Sequence, residues 1–179
     1  GLYNAFHGHK HPIHRIEIGY LLTNNDLIQP DTLLEDNKYT SKSSIKHLAQ
    51  VSPFTLPQLI RGSTSLGKYF EDQGYAAVPS MSHPDAGSDP YFSGGYSILE
   101  HGSIDSGSID AIQIEVNFSS IRDNDANRMA FAGAYAVALL SYIDTHYMTP
   151  PNRSVISDTV KTSTQGALVQ PKIMNEMLK

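Results

Sequence analysis

The chain has 179 residues, 40% of them hydrophobic, which is enough for one domain with its own core and too apolar for a disordered chain. Its net charge is −5 with no basic stripe to neutralise phosphates, so nucleic acid is not an expected partner. There is no cysteine, hence no disulfide or thiolate chemistry, and no apolar run approaches the ~18 residues of a membrane span.

Four of the eight histidines, His7, His9, His11 and His14, crowd the start of the chain. Ile16, Ile18 and Tyr20 then alternate with Arg15, Glu17 and Gly19, which is strand periodicity, and residues 2–7 are a further candidate strand. Asn24-Asn25-Asp26 reads as a turn. Residues 31–50 read as two short helices. Asp31 is the expected N-cap of the first and Ser43 or Ser44 of the second, before Pro53 and Pro57 end the stretch. The loop Gly62 to Gly67 opens a helix carrying Leu66, Tyr69 and Phe70, with Gly74 as its expected C-cap. Tyr75 to Pro79 is a short strand, and residues 80–108 form one long Ser/Gly/Pro/Asp-rich loop of the kind that usually carries function. Ile109 to Val116 is the clearest strand, with Ile112, Ile114 and Val116 on one face and Ala111, Gln113 and Glu115 on the other. Residues 126–147 are the clearest helix, ended by Pro150-Pro151; its stretch from Met129 to Ile143 is the longest apolar candidate, and polar residues break it. The mixture predicts an α/β fold with a mixed, mostly parallel sheet flanked by helices.

Candidate chemistry sits in a few places. Imidazole is the commonest neutral metal ligand, and alternate strand positions point the same way, so His7, His9 and His11 can share a face. Glu115 is a carboxylate inside an apolar strand: it is either a buried partner of Arg122 or a general base tuned by burial and a metal. Tyr91 and Tyr96 flank a glycine pair suited to close approach over a ligand. Arg61 beside a helix start suits a substrate carboxylate, and Arg122 is a further candidate substrate contact. His14-Arg15-Ile16-Glu17 has the H-x-x-E spacing of a paired metal ligand, but on a strand those two side chains point to opposite faces. Asn117-Phe118-Ser119 and Asn152-Arg153-Ser154 match the N-glycosylation pattern and lean towards a secreted glycoprotein. The chain begins at Gly1 with no initiator Met and no signal peptide, as a processed product or a fragment would.

Together these stretches resemble the N-formylglutamate amidohydrolase family of the zinc carboxypeptidase and aspartoacylase-like clan. The resemblance runs collinearly over roughly residues 3–147. It is carried by His7-Gly8-His9-Lys10-His11, Arg15-Ile16-Glu17-Ile18-Gly19-Tyr20 and Arg61-Gly62-Ser63-Thr64-Ser65-Leu66-Gly67. It continues in Val78-Pro79-Ser80, Tyr91-Phe92-Ser93-Gly94-Gly95-Tyr96, His101-Gly102-Ser103 and Ile112-Gln113-Ile114-Glu115-Val116. The resemblance implies zinc, held by an H-x-x-E pair and a later histidine that His7 matches. Glu115 matches the glutamate that activates water for attack on an amide carbonyl, and the 91–96 loop the substrate-covering segment. Residues 1–150 then correspond to the C-terminal portion of the hydrolase domain, and 151–179 to a polar extension.

Two departures bear on this. Ala5 stands where the family pattern places an aspartate two residues before the histidine, and only six residues precede His7, with no H-x-x-E pair among them. The expectation is zinc-dependent hydrolysis of an N-acyl amino acid or similar small amide, incomplete in this chain. The alternatives are a non-catalytic binding or structural protein on a degenerate hydrolase fold and a ligand-binding module using the 80–108 loop. A sheet lacking upstream strands leaves an open edge, so a partner chain or homo-oligomer is expected to cover it.

Overall fold

A computed structural model describes residues 1–148. The proposed extension at 151–179 and the acceptor pattern at Asn152 lie outside the described residues. Four strands, β1 (Leu2–His9), β2 (Ile16–Gly19), β3 (Ala77–Val78) and β4 (Asp110–Asn117), form one sheet in the order β1-β4-β2-β3. β1 runs parallel to β4, in register from Leu2 opposite Asp110 to His9 opposite Asn117. β2 is antiparallel to β4 and parallel to β3. The sheet is therefore mixed and mostly parallel, and helices flank it: the chain is an α/β protein.

The isoleucines of β2 and β4 decide which face is the main core. Ile16, Ile18, Ile112, Ile114 and Val116 are fully buried against three helices, α5 (Leu56–Arg61), α6 (Leu66–Asp72) and α8 (Asp125–His146). Phe131 of α8 stacks on Phe70 of α6 at 6.0 Å between centroids and meets Tyr75 edge-on at 5.2 Å. The opposite face carries a smaller apolar cluster of Ala5, Ala111 and Ile98, the last from α7 (Tyr96–His101). All eight residues of β4 are buried because both faces are covered, and this is what encloses its polar side chains. At the start of β4 the buried Asp110 accepts from Ser103 Oγ at 2.6 Å, Leu48 N at 3.1 Å and Tyr147 OH at 3.2 Å.

Several local expectations change. Asn24-Asn25-Asp26 is helical, in α1 (Asn24–Leu27), because Asp26 folds back to accept from Thr23 N and Oγ at 2.8 and 2.6 Å. Residues 31–50 hold three helices, α2 (Asp31–Leu34), α3 (Asn37–Lys42) and α4 (Lys46–Val51). Asp31 lies inside α2 behind Pro30, and its carboxylate serves Arg61 instead of a cap. Ser43 ends α3, and Ser44 donates to the Ala111 carbonyl at 2.6 Å. The long 80–108 loop contains α7, whose apolar anchor Ile98 was masked by the surrounding glycines.

Candidate functional site

Strand alternation and register place a polar group on the α7 side of the sheet. β1 contributes His7 and His9, β4 contributes Gln113, Glu115 and Asn117, and β2 contributes Glu17. His7 is the register partner of Glu115 on one side, and Glu17 is its partner on the other. Glu17 is 0% and Glu115 6% exposed, so two carboxylates face each other across neighbouring strands inside the protein. Like charges placed this way are destabilising unless something compensates them. Neither forms an ion pair with lysine or arginine among the described residues; beside Glu17 Oε1 lie the imidazoles of His11 at 2.7 Å and His9 at 4.0 Å.

The chain after β1 closes over Glu17. His11 Nδ1 lies 2.7 Å from Glu17 Oε1, and Phe92 N donates to Glu17 Oε2 at 2.8 Å. The Phe92 ring stacks on His11 at 4.7 Å and 16°. This loop reaches the sheet because Gly19 has no side chain: a Cβ there would lie 2.6 Å from Gly94 N. Leu21 N donates to Ser93 O at 2.7 Å and pins the crossing, and Gly94 itself sits at φ 121°, where glycine is favoured. His9 is bound at both nitrogens: Nδ1 accepts from His11 N at 3.1 Å, and Nε2 lies 2.8 Å from the Arg15 carbonyl.

Burial pushes the Glu115 carboxyl above its ordinary range. His7, His9 and the 3.0 Å hydrogen bond from Gln113 pull it back, and Glu17 pushes it further up. A carboxylate held in this way is a stronger base than a solvated one.

Of the residues singled out in the sequence, the structure brings His7, His9 and Glu115 together and takes several others elsewhere. Arg61 is consumed by structure, with Nε bonding Asp31 at 2.9 Å, Nη1 the Leu27 carbonyl at 2.6 Å and Nη2 the Gln29 carbonyl at 2.9 Å. Arg122 does not pair with Glu115; it crosses Gly8 and bonds the carbonyls of Val116 at 3.2 Å and His9 at 2.9 Å, tying the ends of β4 and β1. Tyr91 donates to the Ile18 carbonyl at 2.7 Å, and burial raises its hydroxyl well above the ordinary value. Tyr96 is 75% exposed on α7. Asn117 is buried, and its amide nitrogen, the atom a glycan would take, donates to the carbonyls of His11 and Ile13 at 3.1 and 3.2 Å. In the folded protein it is therefore a structural amide. His14 is exposed and lines a cleft of about 300 Å³ with Tyr75 and Ile121, so the H-x-x-E spacing does not form a ligand pair.

Glu17 and His11 are the members of the group that sequence spacing undervalued. Glu17 carries the same signal as Glu115, a carboxylate between two core isoleucines, but the H-x-x-E string drew it towards His14. One donor atom each from His9, His11 and Glu17 lies within 4.8 Å of the others, the one such metal-type cluster among the described residues. A scan against protein-family models finds no match to the chain, and searches of curated proteins and of solved structures find none either.

Proposed function

We propose that this face belongs to a zinc-dependent hydrolase acting on an N-acyl amino acid or similar small amide, with His7 as a zinc ligand and Glu115 as general base. The observation that carries the reading is Glu115 itself. It is buried, raised in pKa, placed beside His7 by register, and forms no ion pair with lysine or arginine among the described residues. Imidazole and carboxylate donors around a charge-deficient site suit zinc. Zinc, when bound, supplies Lewis acidity to the carbonyl under attack and to water. Glu115 takes the proton from water, and Gln113 orients its Oε1 through the 3.0 Å hydrogen bond. The loop carrying Phe92 and Ser93 covers the face beside it and limits what enters.

His7 and its neighbours supply only part of the expected ligand set, and a few ligands hold a catalytic ion poorly. The remaining ligands are expected from another segment or chain. β1 is an edge strand of the sheet among the described residues, and a partner or second copy is expected to add there. Light scattering with and without zinc reads this directly.

The test of the hydrolase is zinc content by elemental analysis together with turnover of N-formyl and N-acetyl amino acids. Glu115→Gln is expected to lower turnover by about 10²–10⁴-fold with an unchanged circular dichroism spectrum. Absence of stoichiometric zinc and an indifferent Glu115→Gln variant would remove this reading. A non-catalytic binding protein on the same fold is then the second reading, favoured by Ala5. That residue is 4% exposed and packs with Ile98 and Ala111, where an aspartate would be buried without a charge partner. No helix of the described residues is long and apolar enough to cross a membrane.

A further inference from the structure

We infer that His11, through Nε2, is the second histidine ligand this chain offers to a zinc-like divalent ion, and that Glu17 and Phe92 are the residues that position it. The inference rests on the metal-dependent reading above and names a ligand that reading does not contain.

The ring nitrogens of the four clustered histidines differ in what they bond. A neutral imidazole has one N–H and one lone pair. In His9 the lone pair on Nδ1 accepts from the His11 main-chain N–H at 3.1 Å, which leaves the proton on Nε2, 2.8 Å from the Arg15 carbonyl. For His9 to ligate through Nε2, its proton would have to move to Nδ1, against a donor already there. Although His9, His11 and Glu17 crowd within 4.8 Å, His9 is thus committed to holding the turn. His14 is exposed and lines a different cleft. His7 is already assigned.

His11 has the complementary arrangement. Its Nδ1 lies 2.7 Å from Glu17 Oε1, and Glu17 is fully buried, so the proton sits on Nδ1 and the Nε2 lone pair is free. The side chain is 21% exposed, enough for an ion to reach it. Histidines that bind metals commonly donate their other N–H to a carboxylate, which sets the tautomer and raises the basicity of the ligating nitrogen. The orientation is further fixed by the Phe92 ring stacked at 4.7 Å and by Phe92 N on the second Glu17 oxygen at 2.8 Å. A buried carboxylate opposite a second buried carboxylate, with neutral imidazoles beside them and no lysine or arginine ion pair among the described residues, also favours a dication nearby. Imidazole donors select zinc and its transition-metal neighbours over magnesium or calcium.

The test is calorimetric titration of the purified chain with zinc, alongside long-range proton–nitrogen NMR of the histidine rings. In the metal-free protein His9 is expected as the Nε2–H tautomer and His11 as the Nδ1–H tautomer; on adding zinc, His11 Nε2 should be the nitrogen that shifts. His11→Gln is expected to weaken binding by more than about 100-fold, Glu17→Gln by about 10–100-fold, and His9→Gln by less than either, through the turn it holds. The NMR readout needs no variant, so it stands even where a substitution disturbs folding. Equal loss in the His9, His11 and Glu17 variants would place the ion inside that trio and overturn the inference. Loss confined to His7→Ala would overturn it while leaving the hydrolase reading intact. Loss in His11→Gln with none in His7→Ala would support it and remove His7 from the proposed site. Absence of zinc binding by the unaltered chain would overturn both.

Discussion

Glu115 is the residue where burial and local charge pull in opposite directions, and that conflict has a measurable sign. Its folded pKa lies above the ordinary carboxyl value of 4.5. The folded state therefore holds the proton more tightly than the unfolded chain. The stability this contributes is fully present below 4.5 and is lost as pH rises through the folded value. In metal-free buffer with chelator, Glu115→Gln should raise Tm at neutral pH, and the gain should vanish below the ordinary carboxyl value. A Tm lowered by Glu115→Gln at neutral pH would instead show that the carboxylate is a net stabilising partner of His7.

The next scale up is the passage of the loop over β2. Gly19 lets Ser93 and Gly94 lie directly on the strand, and that close approach is what sets Phe92 against His11 and its N–H against Glu17. The nearest atoms to an added methyl group are backbone, which cannot rotate away. Gly19→Ala is therefore expected to cost about 1–3 kcal/mol in urea denaturation and to release the Phe92–His11 stacking, visible as a changed ring-current shift on His11. Unchanged stability and shift would mean that the loop does not depend on this approach. The Arg122 guanidinium over Gly8 is a similar device at the C-terminal end of β1, bonding carbonyls that the strand ends leave open.

For the molecule as a whole, the sheet has a large core on one face and a small one on the other. Phe131 is central to the large one, linking α8 to Phe70 of α6 and to Tyr75 beside β3. Truncation to alanine should cost roughly 3–5 kcal/mol. In a single cooperative unit it should shift the urea midpoint without changing the slope. A split into two transitions would instead mean that α8 unfolds apart from the sheet. The polar face is affordable because this apolar face is extensive: two opposed carboxylates are tolerated where the same strands bury Ile16, Ile18, Ile112, Ile114 and Val116 completely.

The sequence alone was sufficient for the α/β class, for β2, β4 and α8, and for Glu115 as an enclosed carboxylate, because period-two and helical alternation are local properties of the chain. Its alternation also put His7 and His9 on one side of β1, which ends before His11. It was not sufficient for the short helix α1 after Thr23 or for α7, where a reciprocal cap and one buried isoleucine outweigh turn-like composition. Nor could it assign Arg61, Arg122 and Asn117, which bond main-chain carbonyls brought near them only by folding. The pairing of Glu17 with Glu115 and of His11 with Glu17 was decided by tertiary structure alone. Strand order and register join residues about a hundred positions apart, and which nitrogen of a histidine stays free depends on the partner that folding gives the other.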